Sequence, residues 1–265
     1  MTETLPGTDT VCLDLDPTGQ IATITIDRQH KLNALTLELL EDLEPLLHQV
    51  DSSSARVLVL RTAGSKVFCV GADITRFSQF SPVGMWRQWI TIGHRVFNLL
   101  AGLRQPTIAV VDGLAVGGGL ELAMACDFRI AADTAGFGLP ETSLGTIPGW
   151  GGTERLTQLV GPARAKEIIL ARRRIGAETA LAWGLITEAV PSEDLDAATG
   201  ALVAILLEGA PIAQQTSKQL IHAAAAGAPS AILEAIASGF TAATEDFREG
   251  VASFQEKRPA TFTGA

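Results

Sequence analysis

Charge is scarce in this chain, and positive charge scarcer still. Of 265 residues only 18% are charged while 47% are hydrophobic. That is apolar surface enough to bury one large core with a possible appendage, and it excludes disorder except at the ends. The formal net charge of −9 repels polyanions at long range, so neither a nucleic-acid partner nor an acidic membrane surface is expected. A phosphorylated small ligand stays compatible, because a few well-placed Lys or Arg side chains outweigh a distributed charge within about one Debye length, roughly 8–10 Å.

Thiols and imidazoles are equally few. Cys12, Cys69 and Cys126 make an odd count without a Cys-x-x-Cys pair, which fits neither a disulfide framework nor a zinc site and predicts reduced, buried small hydrophobes. His30, His48, His94 and His222 share no spacing expected of metal ligands on one helix, so no metal is expected. Met1 to Thr10 contains Glu3 and Asp9 and lacks the basic and apolar regions of a secretory leader, from which a cytoplasmic location follows. The stretch Thr107–Cys126 is about long enough to span a bilayer, but it carries Asp112, Glu121 and four glycines and is read as buried strand, turn and helix. Also missing are a Gly-x-Ser-x-Gly elbow, a Walker loop and a His-Glu-x-x-His pair.

What is present alternates. Gln20–Ile26 has strand periodicity, Thr36–Val50 helical spacing, and Arg56–Arg61 the look of a short buried strand. Met85–Leu103 reads as helix, Thr107–Val111 as a β-branched strand, and Gly117–Ala125 as a helix opening on glycines. The alternation predicts an α/β core. Beyond Gly149, Gly161-Pro162, Gly176 and Gly184 punctuate short helices, and Ala201–Phe254 is alanine-rich and helical. The expected division is a catalytic core over 1–198 and a helical region over 199–265, packed on the core or on a neighbouring subunit.

Two glycine-rich segments could hold a ligand. In Val111–Glu121 a strand runs through Gly117, Gly118 and Gly119 into a helix. The first N–H groups of a helix have no internal partner and can donate to a carbonyl oxygen that gains negative charge, which is half of an oxyanion hole. A packing turn and a degenerate dinucleotide loop are the alternatives, the latter fitting poorly because these glycines are consecutive. Phe68–Ile74 could supply the second donor, or be an ordinary loop with Asp73 capping a helix. The carboxylates Glu121 and Glu141 sit among Leu120, Leu122, Ala123, Leu139 and Leu144. Such surroundings point to burial, and two buried carboxyls tuned apart can divide the acid and base work of adding water to an unsaturated thioester.

Taken in order, these segments resemble the crotonase, or enoyl-CoA hydratase/isomerase, family from about Val11 to Phe262. Arg28–Leu35 is similar to that family's CoA-binding turn, Phe68–Ile74 to its first oxyanion segment, and Val116–Cys126 and Phe137–Glu141 to its two catalytic segments. Leu144–Leu156 and Phe254–Arg258 resemble two further signatures. The resemblance implies a spiral of repeated β-β-α units, a helical C-terminal region that makes trimers or dimers of trimers, and an acyl-CoA substrate with no separate cofactor. It implies oxyanion donors at Ala72 and Gly118, water activation by Glu121 and proton donation by Glu141. Phosphate contacts would fall to Lys31 with Arg28, and Lys257 would reach CoA from a neighbouring subunit. Leu32, Ala34, Val70, Asp73, Ile74, Gly117, Gly149 and Trp150 would shape the rest of the substrate path. Two departures stand out: Gln29 replaces a frequent proline, and the bulky Trp150 replaces a residue that is small in many hydratases.

Retention of both glutamates selects reversible hydration of a trans-2-enoyl-CoA to a 3-hydroxyacyl-CoA. The alternatives are an isomerase or thioester hydrolase on the same fold, and a non-catalytic RNA-binding relative, against which the acidic charge counts.

Overall fold

The computed structural model describes residues 9–265. Ten strands form two sheets: β1 Thr10–Leu15, β2 Ile21–Asp27, β3 Val57–Thr62, β4 Val67–Cys69, β5 Thr107–Val111, β6 Leu114–Val116, β7 Phe128–Ala132, β8 Gly136–Gly138, β9 Ile175–Gly176 and β10 Glu188–Val190. The helices are α1 Leu37–Ser52, α2 Ile74–Phe77, α3 Pro82–Gly84, α4 Thr91–Gly102, α5 Gly118–Met124, α6 Gly152–Ile169, α7 Ala177–Ala182, α8 Leu195–Leu207, α9 Pro211–Ala225, α10 Ser230–Ala242 and α11 Glu245–Glu256.

In β2 every second residue, Ala22, Ile24 and Ile26, is buried, the signature of a strand with one covered face. Central β5 is apolar throughout apart from Thr107 and buried along its length, as expected of a parallel strand covered on both sides. The six-stranded sheet has the order β1-β2-β3-β5-β7-β10 and the smaller one β4-β6-β8-β9. In each turn of the chain a strand enters the first sheet and the next strand enters the second: β3 then β4, β5 then β6, β7 then β8. A helix closes each turn, giving the expected β-β-α spiral. Because β4, β6 and β8 pair in parallel, the segments leaving them emerge at one end of the small sheet. Those segments are Val70–Ala72, Gly117–Gly118 and Leu139–Glu141.

Several local expectations need correction. The helix expected over Met85–Leu103 begins as a π-helical turn, Met85–Ile90, before α4. β1 escapes the periodicity analysis because it is an edge strand with only half-buried apolar positions, and on it Cys12 is exposed whereas Cys69 and Cys126 are buried. Residue 198, the expected division, lies within α8, whose Leu195 and Val203 are buried in the core. Farther on, the C-terminal helices leave Ile205, Ile221, Ile232, Ile236, Phe240 and Phe254 exposed. Among the described residues no single helix is long and apolar enough to cross a membrane. The stretch Met1–Thr10 lies, up to residue 8, outside the described residues, and with it the expectation drawn from its composition.

Candidate active site

The ends of β4 and β6 meet through glycine backbone. Gly71 has φ +91°, and a Cβ there would lie 2.8 Å from the Gly118 nitrogen and 2.9 Å from the Val116 oxygen. Neither atom can move without moving the chain. At Gly119 a Cβ would lie 2.2 Å from the Cys69 oxygen. The glycines are therefore required for close approach of two backbones, beyond any need for a turn. The Leu35 N–H donates to the Gly71 oxygen at 2.7 Å and the Asp73 N–H to the Leu35 oxygen at 2.8 Å. Between them the Ala72 N–H has no backbone partner among the described residues. Gly118 opens α5, so its N–H has no helical partner either. Ala72 and Gly118 line the same cavity.

Glu121 lies one turn into α5 and is 2% exposed. Its Oε1 accepts two backbone N–H groups, from Trp150 at 2.7 Å and from Gly152 at 2.8 Å. Oε2 is left free of them. Burial pushes this carboxyl up, and the two N–H donors oppose that by stabilising the charge. Gly152 must be glycine for this grip, since a Cβ there would lie 2.8 Å from Oε1.

Glu141 follows Pro140 in a 3₁₀ turn, Glu141–Leu144. Its side chain reaches back toward Gly117, where a Cβ would lie 3.1 Å from Oε1. Its Oε2 is buried with no hydrogen-bond partner, an arrangement that disfavours the charged form. Burial pushes Glu141 up to about 7, its own backbone N–H opposing and the Glu121 charge assisting. Two carboxyls of one cavity are thus provided for unequally: Glu121 is gripped by two N–H groups of other residues, whereas Glu141 has only its own backbone N–H and a bare Oε2. Burial pushes both carboxyls toward the protonated form, Glu121 against the two N–H donors that grip it.

The cavity holding both carboxyls has room for about 140 Å³, and Val70, Ile74, Phe77, Trp89, Ile90 and Trp150 give it apolar walls. Arg155, one turn into α6, donates to the Trp150 oxygen at 2.9 Å and to Asn98 Oδ1 at 2.6 Å. It thereby fixes the loop whose N–H groups hold Glu121. Gly151, at φ +100°, makes room for that guanidinium, because a Cβ would lie 2.0 Å from its Nη1.

Of the positions expected from sequence, Glu121, Glu141, Ala72, Gly118, Val70, Ile74, Gly117, Gly149 and Trp150 come together around this cavity. The others do not. Arg28 is buried and donates to Asp73 at 2.8 Å, to Asp9 at 2.8 Å and to the Ala34 oxygen, so its guanidinium is committed to the turn and is not free for a phosphate. Asp73 is occupied by that pair and by capping α2 through the Thr75 N–H. Burial works against its charge, but Thr75 and Arg28 prevail and hold it down to about 2. Ala34 is buried in the core. Lys31 and Leu32 lie exposed on the same turn, which Asn33 builds by accepting from the Arg28 N–H and donating to the Ala63 and Val67 oxygens. Lys257 is exposed at the C-terminus of α11. Not expected from sequence are Trp89 and Ile90, from a segment that reads as plain helix, Phe77, just beyond the Phe68–Ile74 segment, and Arg155, which lies within the Leu144–Leu156 signature without a role of its own.

A model of the family described as enoyl-CoA hydratase/isomerase matches residues 17–265. The short-chain-enoyl-CoA hydratase of Clostridium acetobutylicum is 37% identical over 247 residues, 92% of this chain and 94% of that protein. The crotonyl-CoA hydratase of Syntrophomonas wolfei is 37% identical over 254 residues, 94% of this chain and 96% of that protein. Among solved structures, an enoyl-CoA hydratase from Bacillus anthracis superposes with a TM-score of 0.91 at 35% identity, covering 96% of this chain and 99% of that one.

Proposed function

Because the chain belongs to the enoyl-CoA hydratase/isomerase family, we propose that it adds water reversibly across the double bond of a trans-2-enoyl-CoA to give a 3-hydroxyacyl-CoA. The observation that carries this is the unequal pair of carboxyls: Glu121 gripped at Oε1 by two N–H donors, and Glu141 buried with a bare Oε2, in one cavity beside two N–H groups without a partner among the described residues.

In this scheme the thioester oxygen accepts from the Ala72 and Gly118 N–H groups. Water at Glu121 Oε2 gives its proton to that carboxylate as its oxygen bonds the β-carbon. The electron pair of the double bond moves toward the thioester, and the resulting enolate is stabilised by the two donors. Glu141 then delivers its proton to the α-carbon. The pair ends with the proton on Glu121 instead of Glu141, and exchange with solvent resets it. Every group used belongs to this chain, the coenzyme A being part of the substrate.

Lys31, exposed on its turn, would meet the CoA phosphates in place of the committed Arg28. The exposed apolar residues of α8 to α11 form the kind of surface that a second and third copy cover in a homotrimer, which would also carry Lys257 toward a neighbouring site. The test is loss of the conjugated-thioester absorbance on adding crotonyl-CoA, with product identification. 3-Hydroxybutyryl-CoA should appear, and Glu121→Gln and Glu141→Gln should each lower kcat by about 10²–10⁴ in a folded protein. Free CoA or a shifted alkene without the hydroxyacyl product would overturn the assignment.

A further inference from the structure

We propose that the Trp150 indole is the wall that limits this enzyme to short acyl chains, and that Gly93 and Gly118 are glycines in order to admit it. The inference rests on the enoyl-CoA reading above and deepens it by naming the acyl class and the residues that select it.

The indole is 2% exposed, yet it borders the cavity that holds Glu121 and Glu141. It occupies a slot that no other residues at two distant positions would leave open. A Cβ on Gly93 of α4 would lie 2.0 Å from its Nε1, and a Cβ on Gly118 of α5 would lie 2.7 Å from its Cζ3. The ring therefore rests directly on the backbone that bears one of the two oxyanion donors. It cannot swing away easily. Nε1 donates to the Trp89 oxygen at 3.1 Å, one face lies on the Trp89 ring with centroids 5.2 Å apart, and Phe97 meets it edge-on at 5.3 Å. Trp89 is itself backed by Phe77 and Phe80 at 5.7 and 5.5 Å.

Close-packed aromatic rings held by a buried hydrogen bond do not yield to a flexible alkyl tail. The room that remains, about 140 Å³, compares with cavities of roughly 150 Å³ that accept a benzene-sized guest. An acyl group of about four to six carbons fits that space; a ten-carbon chain does not.

The experiment measures kcat/KM for crotonyl-, trans-2-hexenoyl- and trans-2-decenoyl-CoA with the full-length protein and with Trp150→Phe and Trp150→Ala. Because the Glu121 contact uses the Trp150 backbone, the side-chain change leaves that hydrogen bond available, and the ratio between chain lengths is the quantity read. The natural protein should prefer crotonyl- over decenoyl-CoA by at least about tenfold, as expected when added methylenes cannot be accommodated. Trp150→Ala should raise the decenoyl-to-crotonyl ratio by about tenfold or more, with Trp150→Phe between. Equal efficiency of the natural protein on both substrates, or an unchanged ratio in Trp150→Ala, overturns the proposal. Should Trp150→Ala fail to fold, the natural preference and the Trp150→Phe ratio decide alone. Binding of saturated butyryl- and decanoyl-CoA provides the same comparison without turnover. A chain-length preference in binding with no hydration of any enoyl-CoA would sink the functional reading and leave the wall standing.

Discussion

Raising the pH should switch the enzyme off through Glu141, and in both directions of the reaction. In the proposed scheme hydration begins with Glu121 ionised and Glu141 protonated, and dehydration with the opposite arrangement of the same single proton. The free enzyme is therefore competent in either direction only while the pair holds one proton, and kcat/KM reports the free enzyme. Burial with an unpartnered Oε2 pushes Glu141 up to about 7. Above that value Glu141 gives up the proton it must deliver, so kcat/KM falls with a slope of −1 in log units. Relative to its maximum it should drop to about one tenth at pH 8 and about one hundredth at pH 9. The assay is the crotonyl-CoA absorbance change at low substrate, paired with the reverse reaction from 3-hydroxybutyryl-CoA, at constant ionic strength between pH 5 and 10. The two profiles must superimpose, because substrate and product carry the same titrating groups, all of them on the CoA, and their equilibrium does not depend on pH. A flat profile to pH 10 would refute the assignment of Glu141 as the acid.

Two further outcomes test the support of the site. Gly71→Ala places a Cβ 2.8 Å from the Gly118 nitrogen at a φ that costs an L-residue about 1–2 kcal/mol; kcat on crotonyl-CoA should fall by about 10²–10³, the loss typical of one oxyanion donor, and thermal denaturation should show the modest strain. Asp73→Asn breaks a pair with Arg28 in which both side chains are under a tenth exposed; unfolding in urea at pH 7 should show a loss of about 3 kcal/mol, the low end for a buried pair, since Asp9 still holds Arg28. The folded Asp73 lies at about 2 against an ordinary 3.8. Its contribution is thus fully present above pH about 4 and lost as the pH falls toward 2, so the difference between the natural protein and the variant should shrink over that window.

The chemistry was legible in the sequence where it depends on residue type within a short segment. Consecutive glycines before Glu121 and the apolar frame around Glu141 carry their own explanation, and the structure brings both carboxyls to one cavity. What was not legible depends on partners far along the chain. Arg28 looks like a surface base, and only the fold brings Asp73 to it across 45 residues. Trp150 looks like an obstruction beside Gly149, and its slot exists because Gly93, in a different helix, has no side chain. The π-helical turn Met85–Ile90 keeps the apolar spacing of an α-helix closely enough to be mistaken for one. The edge strand β1 is too little buried to show its alternation.

The spiral has a consequence for how such a site can change over generations. The three pieces of the proposed site come from three successive coils of the same staircase: Ala72 from the first, Gly118 and Glu121 from the second, Glu141 from the third. The first two meet backbone against backbone at Gly71 and Gly118, and the third is paired to the second up to the Gly117 N–H and the Gly138 oxygen. The third step reaches the cavity by a side chain on a turn of its own, and a replacement there disturbs neither the hold on the thioester nor the grip on Glu121. The grasp of the substrate is thus inherited as a unit, while the fate of the α-carbon is written on a separate step and is free to be rewritten.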